Sequence, residues 1–154
     1  MSYPSTRIET GTRPGEDIGG IDDIVGFHIR LAQGAVYRHF TETFAQLDLT
    51  QKQVSVLWLI DDHPDIAQAD LGRRLQMDRA TVMAIVNRLQ ARGFLERGAS
   101  TGDRRRQTLH LTPAGHEALI SARECILAHE AWLKSRFTAH ETRMLVNLLR
   151  RIHE

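Results

Sequence analysis

The sequence predicts a mainly α-helical fold with one small β-hairpin (α+β), and three observations support this prediction. Apolar residues recur at helical spacing over residues 21–47 and again over residues 113–154. Two shorter helical segments follow each other across a tight turn at Met77. After them, two short apolar stretches flank a turn-rich segment that contains three consecutive arginines. A helix-turn-helix followed by a two-stranded ribbon with a basic tip is the winged helix-turn-helix arrangement.

The first half of the chain predicts three helices. The first covers residues 21–47 and carries one broad apolar stripe, formed by Ile29, Ala32, Val36, Phe40, Phe44 and Leu47. The second begins at Thr50, which is a good N-cap, with Gln53 completing a capping box, and it ends before Pro64. The third is short and covers residues 68–76.

The fourth predicted helix has the features of a recognition helix. Asp78 is a suitable N-cap, and Gly93 stands where a left-handed C-terminal cap is expected. One face is apolar, whereas the other exposes a mixture that suits base edges and phosphates: Arg79, Met83, Ala84, Asn87 and Arg88. Strands are predicted at residues 94–97 and 108–111, and the arginine tip between them suits the narrow minor groove. The alternative is a surface helix followed by a solvated basic hairpin.

Two further helices are predicted at the C-terminal end. Residues 114–136 follow Thr112 as N-cap and Pro113 in the first turn. A last helix follows Thr138, whose capping-box partner is Glu141.

The apolar faces of the terminal helices exceed what one small winged domain needs to close its core. We therefore expect residues 21–47 and 113–154 to form a dimerisation layer beside a DNA-binding lobe of residues 50–112. The alternative is that these helices fold back onto their own subunit. Residues 1–20 are rich in Gly, Pro, Ser and Thr and are predicted to be a flexible arm, which leaves residues 21–154 as a single domain.

The positive charge is concentrated in the predicted lobe. Residues 68–108 contain nine Arg and four Asp or Glu, a net charge of +5, whereas the rest of the chain carries −4. Such a concentration is typical of a DNA-binding face, although the net charge of the whole chain is only +1.

On these motifs the chain resembles the multiple antibiotic resistance regulator (MarR) family over about residues 22–153. The wing pattern of that family, Asp-x-Arg followed by Leu-Thr, is present as Asp103-Arg104-Arg105 and Leu111-Thr112. Further segments that resemble the family are residues 49–53, 70–75, 79–82 and 87–95. Two positions depart from the pattern. Ala67 stands where the third helix often has a capping Ser or Thr, and Met83 stands where a Ser often contacts a phosphate.

The resemblance implies a homodimeric repressor that binds double-stranded DNA at a pseudopalindromic operator. Two recognition helices about 34–36 Å apart would read half-sites at matching spacing. Arg105 is then the candidate for minor-groove insertion, and Asp103 is expected to orient an arginine through a charge-assisted bond. Arg104 and Arg106 are expected to contact phosphates. The candidate DNA-binding residues are Gln68, Arg73, Arg74, Arg79, Thr81, Ala84, Asn87, Arg88, Asp103, Arg104, Arg105 and Arg106.

Similar regulators commonly bind small aromatic acids or related anions, and the mixed face of the first helix suits such an effector. Aromatic side chains can stack on a ring while basic side chains meet an anionic group. An aromatic acyl-thioester with a phosphate-bearing tail would also suit exposed arginines. The alternative is ordinary packing, with arginines that reach solvent. The candidate effector-binding residues are Phe27, His28, Arg30, Tyr37, Arg38 and Trp58.

Other classes of function have less support. No catalytic constellation is visible, so we expect neither an enzyme nor a cofactor. The eight histidines are scattered, so no metal site is expected, and Cys125 is the single cysteine. Neither a membrane span nor the apolar core of a signal peptide is visible, so we expect a cytoplasmic protein without a membrane partner. Two alternatives remain: a winged-helix protein-interaction module, and a redox- or metal-responsive regulator of the same fold.

Overall fold

The computed structural model describes residues 19–100 and 102–154. The elements in chain order are a 3-10 helix (Gly19–Asp23), α1 (Val25–Thr43), a second 3-10 helix (Ala45–Leu47), α2 (Gln51–Asp62), α3 (Gln68–Arg74), α4 (Arg79–Ala91), β1 (Leu95–Ala99), β2 (Gln107–Leu111), α5 (Pro113–Lys134) and α6 (Ala139–His153). This order confirms the predicted mainly α-helical fold with one hairpin. Of the predicted arm, residues 1–18 lie outside the described residues. The chain divides into two compact units within α1, between Ala35 and Val36.

Helix α1 is shorter than the helix predicted over residues 21–47. A 3-10 helix precedes it, and its last turn tightens into a second 3-10 helix, in which the Leu47 N–H donates to the Phe44 carbonyl at 3.0 Å. Asp48 then takes a left-handed conformation with φ of 48°, which ends the helical run. Asp tolerates this conformation better than most residues, because its short polar side chain bonds locally.

The caps of the second and fourth helices are formed as predicted. The Thr50 hydroxyl accepts from the Gln53 N–H at 3.2 Å, and the Gln53 side chain accepts from the Thr50 N–H at 3.0 Å. At the start of α4, the Asp78 carboxylate accepts from the Thr81 N–H at 2.8 Å. Ala67 leaves α3 without a side-chain cap. Helix α3 is also two residues shorter than predicted, because Gln76 takes a left-handed conformation in the turn to α4.

The end of α4 explains where the hairpin begins. Gly93 has φ of 75°, and the Phe94 N–H donates to the Leu89 carbonyl at 3.0 Å, the bond that defines a Schellman motif. Phe94 is therefore part of the helix cap, and β1 begins at Leu95 instead of the predicted residue 94. The hairpin is antiparallel, pairing Leu95 with Leu111 and Ala99 with Gln107.

The core of the second unit lies between the lobe helices, the hairpin and the start of α5. The buried hydrophobic residues are Phe40, Phe44, Leu49, Val54, Val56, Leu57, Ile60, Ile66, Leu71, Val82, Val86, Leu89, Leu95, Leu109, Leu119 and Ala122. The hairpin is tied to the α2–α3 loop, since the Leu109 N–H donates to the Ile66 carbonyl at 3.0 Å. The core thus fixes α4 and the wing relative to each other.

The last helix leaves its apolar residues exposed. The Thr138–Glu141 capping box is present, and hydrogen bonds from the Thr138 N–H and hydroxyl lower the pKa of the Glu141 carboxyl. No residue of α6 is buried. Exposed large apolar side chains on α5 and α6 include Ile120, Leu127, Met144, Val146, Leu148, Leu149 and Ile152. Among the described residues, no helix is both long and apolar enough to span a membrane.

Candidate nucleic-acid interface

The outer face of α4 is exposed as predicted. Val82, Val86 and Leu89 are buried against the core. The opposite face is open to solvent along its length and consists of Arg79, Met83, Ala84, Asn87 and Arg88. Burial of one apolar face therefore orients a row of polar and basic side chains outward.

Thr81, a candidate DNA contact, belongs to the helix cap. Its hydroxyl donates to Asp78 Oδ2 at 2.6 Å, and its N–H donates to Asp78 Oδ1. The side-chain bond, followed by the backbone bond, lowers the pKa of the Asp78 carboxyl. The cap thus keeps Asp78 ionised at the positive end of the α4 dipole.

The tip of the wing is a compact turn built around Asp103. Asp103 Oδ1 accepts from the Arg105 N–H at 3.0 Å, and the Asp103 carbonyl accepts from the Arg106 N–H at 3.1 Å. The sequence predicted that Asp103 orients an arginine through its side chain. In the structure its bonds go to the backbone, so it shapes the turn that presents Arg104 and Arg105 to solvent.

Arg106, which the sequence predicts to contact a phosphate, is paired with Asp70 of α3. Asp70 Oδ2 lies 2.6 Å from Arg106 Nη2, and Asp70 Oδ1 lies 2.8 Å from Arg73 Nη2. Both arginines are more than half exposed, and such exposed ion pairs are weak. The carboxylate thus connects the wing to α3.

Arg74, the second arginine of α3, lies beside the α2–α3 connection. Its Nη1 lies 2.9 Å from His63 Nε2.

Between α3 and α4 there is a shallow depression of about 550 Å³, and Gln68, Arg73 and Arg79 are among its lining residues. Candidate residues of both helices therefore border one surface of the lobe.

Sequence reasoning missed Arg97 of β1. Its guanidinium donates to the side-chain oxygens of Asn87 at 2.8 Å and Gln68 at 3.3 Å, and also to that of Gln90. Strand alternation puts Arg97 on the same side of β1 as the buried Leu95. This alternation was the one sequence feature indicating that Arg97 faces the lobe. The partners are seven to 29 residues away in the chain, so the sequence did not identify them.

The effector-binding candidates fall into both compact units. Phe27, His28 and Arg30 precede the division within α1, where His28 Nε2 lies 2.6 Å from the Asp22 carbonyl and Arg30 lies over the Phe27 ring. The other three candidates follow the division, and Tyr37 and Arg38 are exposed there.

Trp58 lies beside an arginine and an apolar depression. Its ring carries the Arg123 guanidinium at 4.8 Å, and a shallow apolar depression of about 230 Å³ lies beside it, also lined by Val54, Leu59, Leu75 and Ile126. Arg123 is itself held by Asp61 Oδ2 at 2.7 Å. Sequence reasoning missed Arg123, because it lies 65 residues from the ring that it covers.

A second cluster that the sequence did not predict lies between the end of α1 and α5. His39 Nδ1 and the buried His129 Nδ1 are 2.8 Å apart, and the Trp132 ring stacks on the His39 ring at 3.9 Å. Burial, together with His39, lowers the pKa of His129. In the described part of the chain, no group of three or more His, Cys, Asp or Glu is arranged to hold a metal ion.

Known proteins with similar sequences are regulators of transcription. A sequence profile of the MarR family matches residues 47–106. A Thauera aromatica protein named for the transcriptional regulation of the hcr operon is 30% identical over 136 residues, which cover 88% of this chain and 82% of that protein.

Solved structures with similar folds include regulators bound to DNA and to small aromatic molecules. The transcriptional repressor CouR bound to a 23-mer DNA duplex is 28% identical, with a TM-score of 0.83 over 90% of this chain and 99% of that one. CouR is also known bound to p-coumaroyl-CoA. BpsR of Bordetella bronchiseptica, whose DNA binding is regulated by 6-hydroxynicotinic acid, is 26% identical, with a TM-score of 0.79 over 86% and 95% of the two chains. The chain therefore belongs to the MarR family of DNA-binding transcriptional regulators.

Proposed function

We propose that this protein is a homodimeric repressor that binds a pseudopalindromic operator and is released by a small aromatic acid or an aromatic acyl-thioester. The observation that carries the proposal is that one lobe exposes two basic elements. The outer face of α4 is polar and basic, and the turn at Asp103 leaves Arg104 and Arg105 exposed at the tip of the wing. Arg97 of β1 joins the wing to α4 through its hydrogen bond to Asn87.

In this proposal each element contacts its own groove of the duplex. Helix α4 lies in the major groove, where Arg79, Asn87 and Arg88 reach base edges and phosphates. Arg105 enters the adjacent minor groove, whose narrow form attracts arginine. Arg104 contacts phosphates, and Arg73 and Arg106 join it when a phosphate replaces the carboxylate of Asp70.

The terminal helices support the homodimer. Exposed apolar side chains on α5 and α6 would be covered by a second copy of the chain, which would place two recognition helices on one operator. Family members with similar folds support the same reading, since CouR is described as a repressor and is bound to a duplex.

Two observations support an aromatic effector. Trp58 offers a ring beside an apolar depression and below the Arg123 cation, a combination that suits an aromatic anion. CouR and BpsR, which share the fold and about a quarter of the sequence, are described with p-coumaroyl-CoA and 6-hydroxynicotinic acid. The effector acts by binding the DNA-incompetent arrangement more tightly than the competent one.

Titration of the protein on DNA from upstream of its own gene tests the proposal. We expect affinity to fall steeply with salt, because bound arginines release counterions, and to fall further when 6-hydroxynicotinic acid or p-coumaroyl-CoA is added. Salt-independent binding would contradict the operator proposal. Binding that neither compound changes, nor any other aromatic carboxylate tested, would contradict the effector class alone.

The Arg105→Ala variant tests the wing. We expect it to weaken operator binding about tenfold, or by about 1.4 kcal/mol, without changing the melting temperature. Arg136→Ala is the matched control, because Arg136 is an exposed arginine in the α5–α6 turn, stacked on Trp132 and outside the lobe. If both variants keep the molecular mass of the wild type and lose affinity equally, only net charge matters and Arg105 is not part of the interface.

A further inference from the structure

We propose that Arg97 is a specificity-determining positioning residue, which holds the amide groups of Asn87, Gln90 and Gln68 so that they present hydrogen-bond donors to DNA. The inference rests on the proposed function, in which α4 enters the major groove. It assigns a role to a residue of β1 that the predicted interface did not include.

One guanidinium connects three elements of the lobe. Arg97 Nη2 lies 2.8 Å from Asn87 Oδ1 on α4 and 3.3 Å from Gln68 Oε1 on α3. Arg97 Nη1 donates to Gln90 Oε1, one turn further along α4. Arg97 is half-buried between these side chains, whereas Asn87 and Gln90 are exposed.

The chemistry of the guanidinium fixes the orientation of each amide. Arginine has five N–H donors and no acceptor, so only the oxygen of an Asn or Gln side chain can face it. The NH2 group of each amide then points away from the guanidinium. Among residues 19–100 and 102–154, the side chains of Asn87 and Gln90 form hydrogen bonds to Arg97 alone, which leaves their NH2 donors available to a ligand.

Donor groups select the base edges that accept hydrogen bonds. Guanine presents two major-groove acceptors, N7 and O6, whereas adenine presents one acceptor and one donor. The familiar bidentate contact of Asn with adenine requires Oδ1 to accept from N6, and here the Arg97 cation already takes one of the two lone pairs of Oδ1 and competes for that oxygen. We therefore expect guanine in preference to adenine at the positions that face Asn87 and Gln90.

Selection from a library of random-sequence duplexes, with the full-length protein, measures this preference. The wild-type protein should enrich guanine at one or two positions of each half-site. Arg97→Gln frees the amides to rotate, so the ratio of guanine to adenine at those positions should fall about tenfold. Arg97→Lys keeps the charge but lacks the planar fork, so it should keep the salt dependence of the wild type and lose part of the preference.

A double-mutant comparison separates positioning from direct contact with DNA. If Arg97 acts through Asn87, then Arg97→Gln should not change the preference at the Asn87-facing position once Asn87→Ala is present. If Arg97 instead contacts a phosphate, Arg97→Gln should weaken all sequences alike and reduce the salt slope by about one, which would overturn the inference.

Arg92→Gln is the control for general damage to the lobe. Arg92 donates to the carbonyls of Asp48 and Leu47, so its loss should lower the melting temperature without changing base preference. An altered preference in this variant would show that destabilisation alone explains the effect and would overturn the inference. A wild-type protein that enriches no sequence would overturn the proposed function as well. Enrichment that Arg97→Gln leaves unchanged would overturn only the role of Arg97.

Discussion

At the residue scale, the buried His129 forms a hydrogen-bonded pair with His39. His39 Nδ1 and His129 Nδ1 are 2.8 Å apart, so one ring must donate while the other accepts. Protonation of both rings would place two N–H groups against each other. Burial and this neighbour lower the pKa of His129, and His129 therefore remains neutral in the folded protein under conditions that protonate an ordinary histidine.

The pKa shift of His129 predicts a stability that depends on pH. Because the folded pKa lies below the unfolded one, the unfolded chain binds the proton more readily. The stabilisation is present above the ordinary histidine pKa and is lost as the pH falls below it. Denaturant titrations at about pH 7.5 and about pH 5.5 should show a lower free energy of unfolding at the lower pH. The difference between the two pH values should be smaller for His129→Gln than for the wild type.

The control for this prediction is His140→Gln, which changes an exposed histidine of α6. This variant should lose as much stability as the wild type between the two pH values. If His129→Gln did the same, titration of His129 would have no part in the acid sensitivity.

At the scale of elements, a close contact joins the start of α5 to the root of the wing. Gly115 is buried in the first turn of α5, and a Cβ placed there would lie 1.8 Å from the Phe94 carbonyl oxygen. The Thr112 hydroxyl caps α5 and also donates to the Gly93 carbonyl at 2.5 Å. Helix α5 therefore contacts the chain at the point where α4 ends and β1 begins.

We expect Gly115→Ala to destabilise the protein by about 3 kcal/mol or more, because backbone atoms cannot move aside as a flexible side chain does. The free energy of unfolding from denaturant titration measures this effect. Gly26→Ala is the control: among the described residues, nothing outside its own helix backbone lies within 4 Å of its Cβ position in α1, so a helix-favouring Ala should leave stability unchanged or slightly higher. A Gly115→Ala protein as stable as the wild type would contradict the close packing.

The sequence predicts some features better than others, because some depend on neighbouring residues and others on residues far apart in the chain. The caps at Thr50, Asp78 and Thr138 and the glycine at the end of α4 depend on neighbours within four residues, so they were predicted correctly. The bonds that organise the interface depend on residues far apart in the chain. Asp70 meets Arg106 across 36 residues, and His39 meets His129 across 90, so neither pair is visible as a local pattern.

At the scale of the whole molecule, the apolar faces of α5 and α6 predict a partner subunit. Leu148 is 48% exposed and lies on the apolar stripe of α6, whereas Val146, which is 44% exposed, lies about 200° around the helix. The two side chains are similar in polarity and exposure within one chain. A difference in molecular mass between the Leu148→Glu and Val146→Glu variants would therefore report on a second chain.

We expect Leu148→Glu to convert the proposed dimer into monomers, because a carboxylate buried at its interface would be costly to desolvate. Sedimentation or light scattering measures the mass, and operator binding should weaken because two half-sites are no longer read together. Val146→Glu should remain dimeric. Monomeric wild-type protein, or equal effects of the two variants, would contradict the dimerisation layer.

The operator sequence and the effector are less predictable than the fold for a physical reason. If our inference is right, base preference depends on which atom of an amide faces outward, and Arg97 on a different element would decide this. In the proposed function, effector preference would depend on side chains such as Arg123, which covers Trp58 from another helix. Residue types narrow the chemistry in both cases, but the neighbours that orient them come together only in the folded chain.

Asp70 acts as a tethered counterion within the DNA-binding lobe. It already neutralises part of the charge of Arg73 and Arg106. Under the proposed function, phosphates that bind these arginines would displace a carboxylate that stays attached to the protein. That carboxylate would then take up a cation of its own, which would offset one of the cations released from the DNA and make the salt dependence shallower than the number of contacting arginines implies.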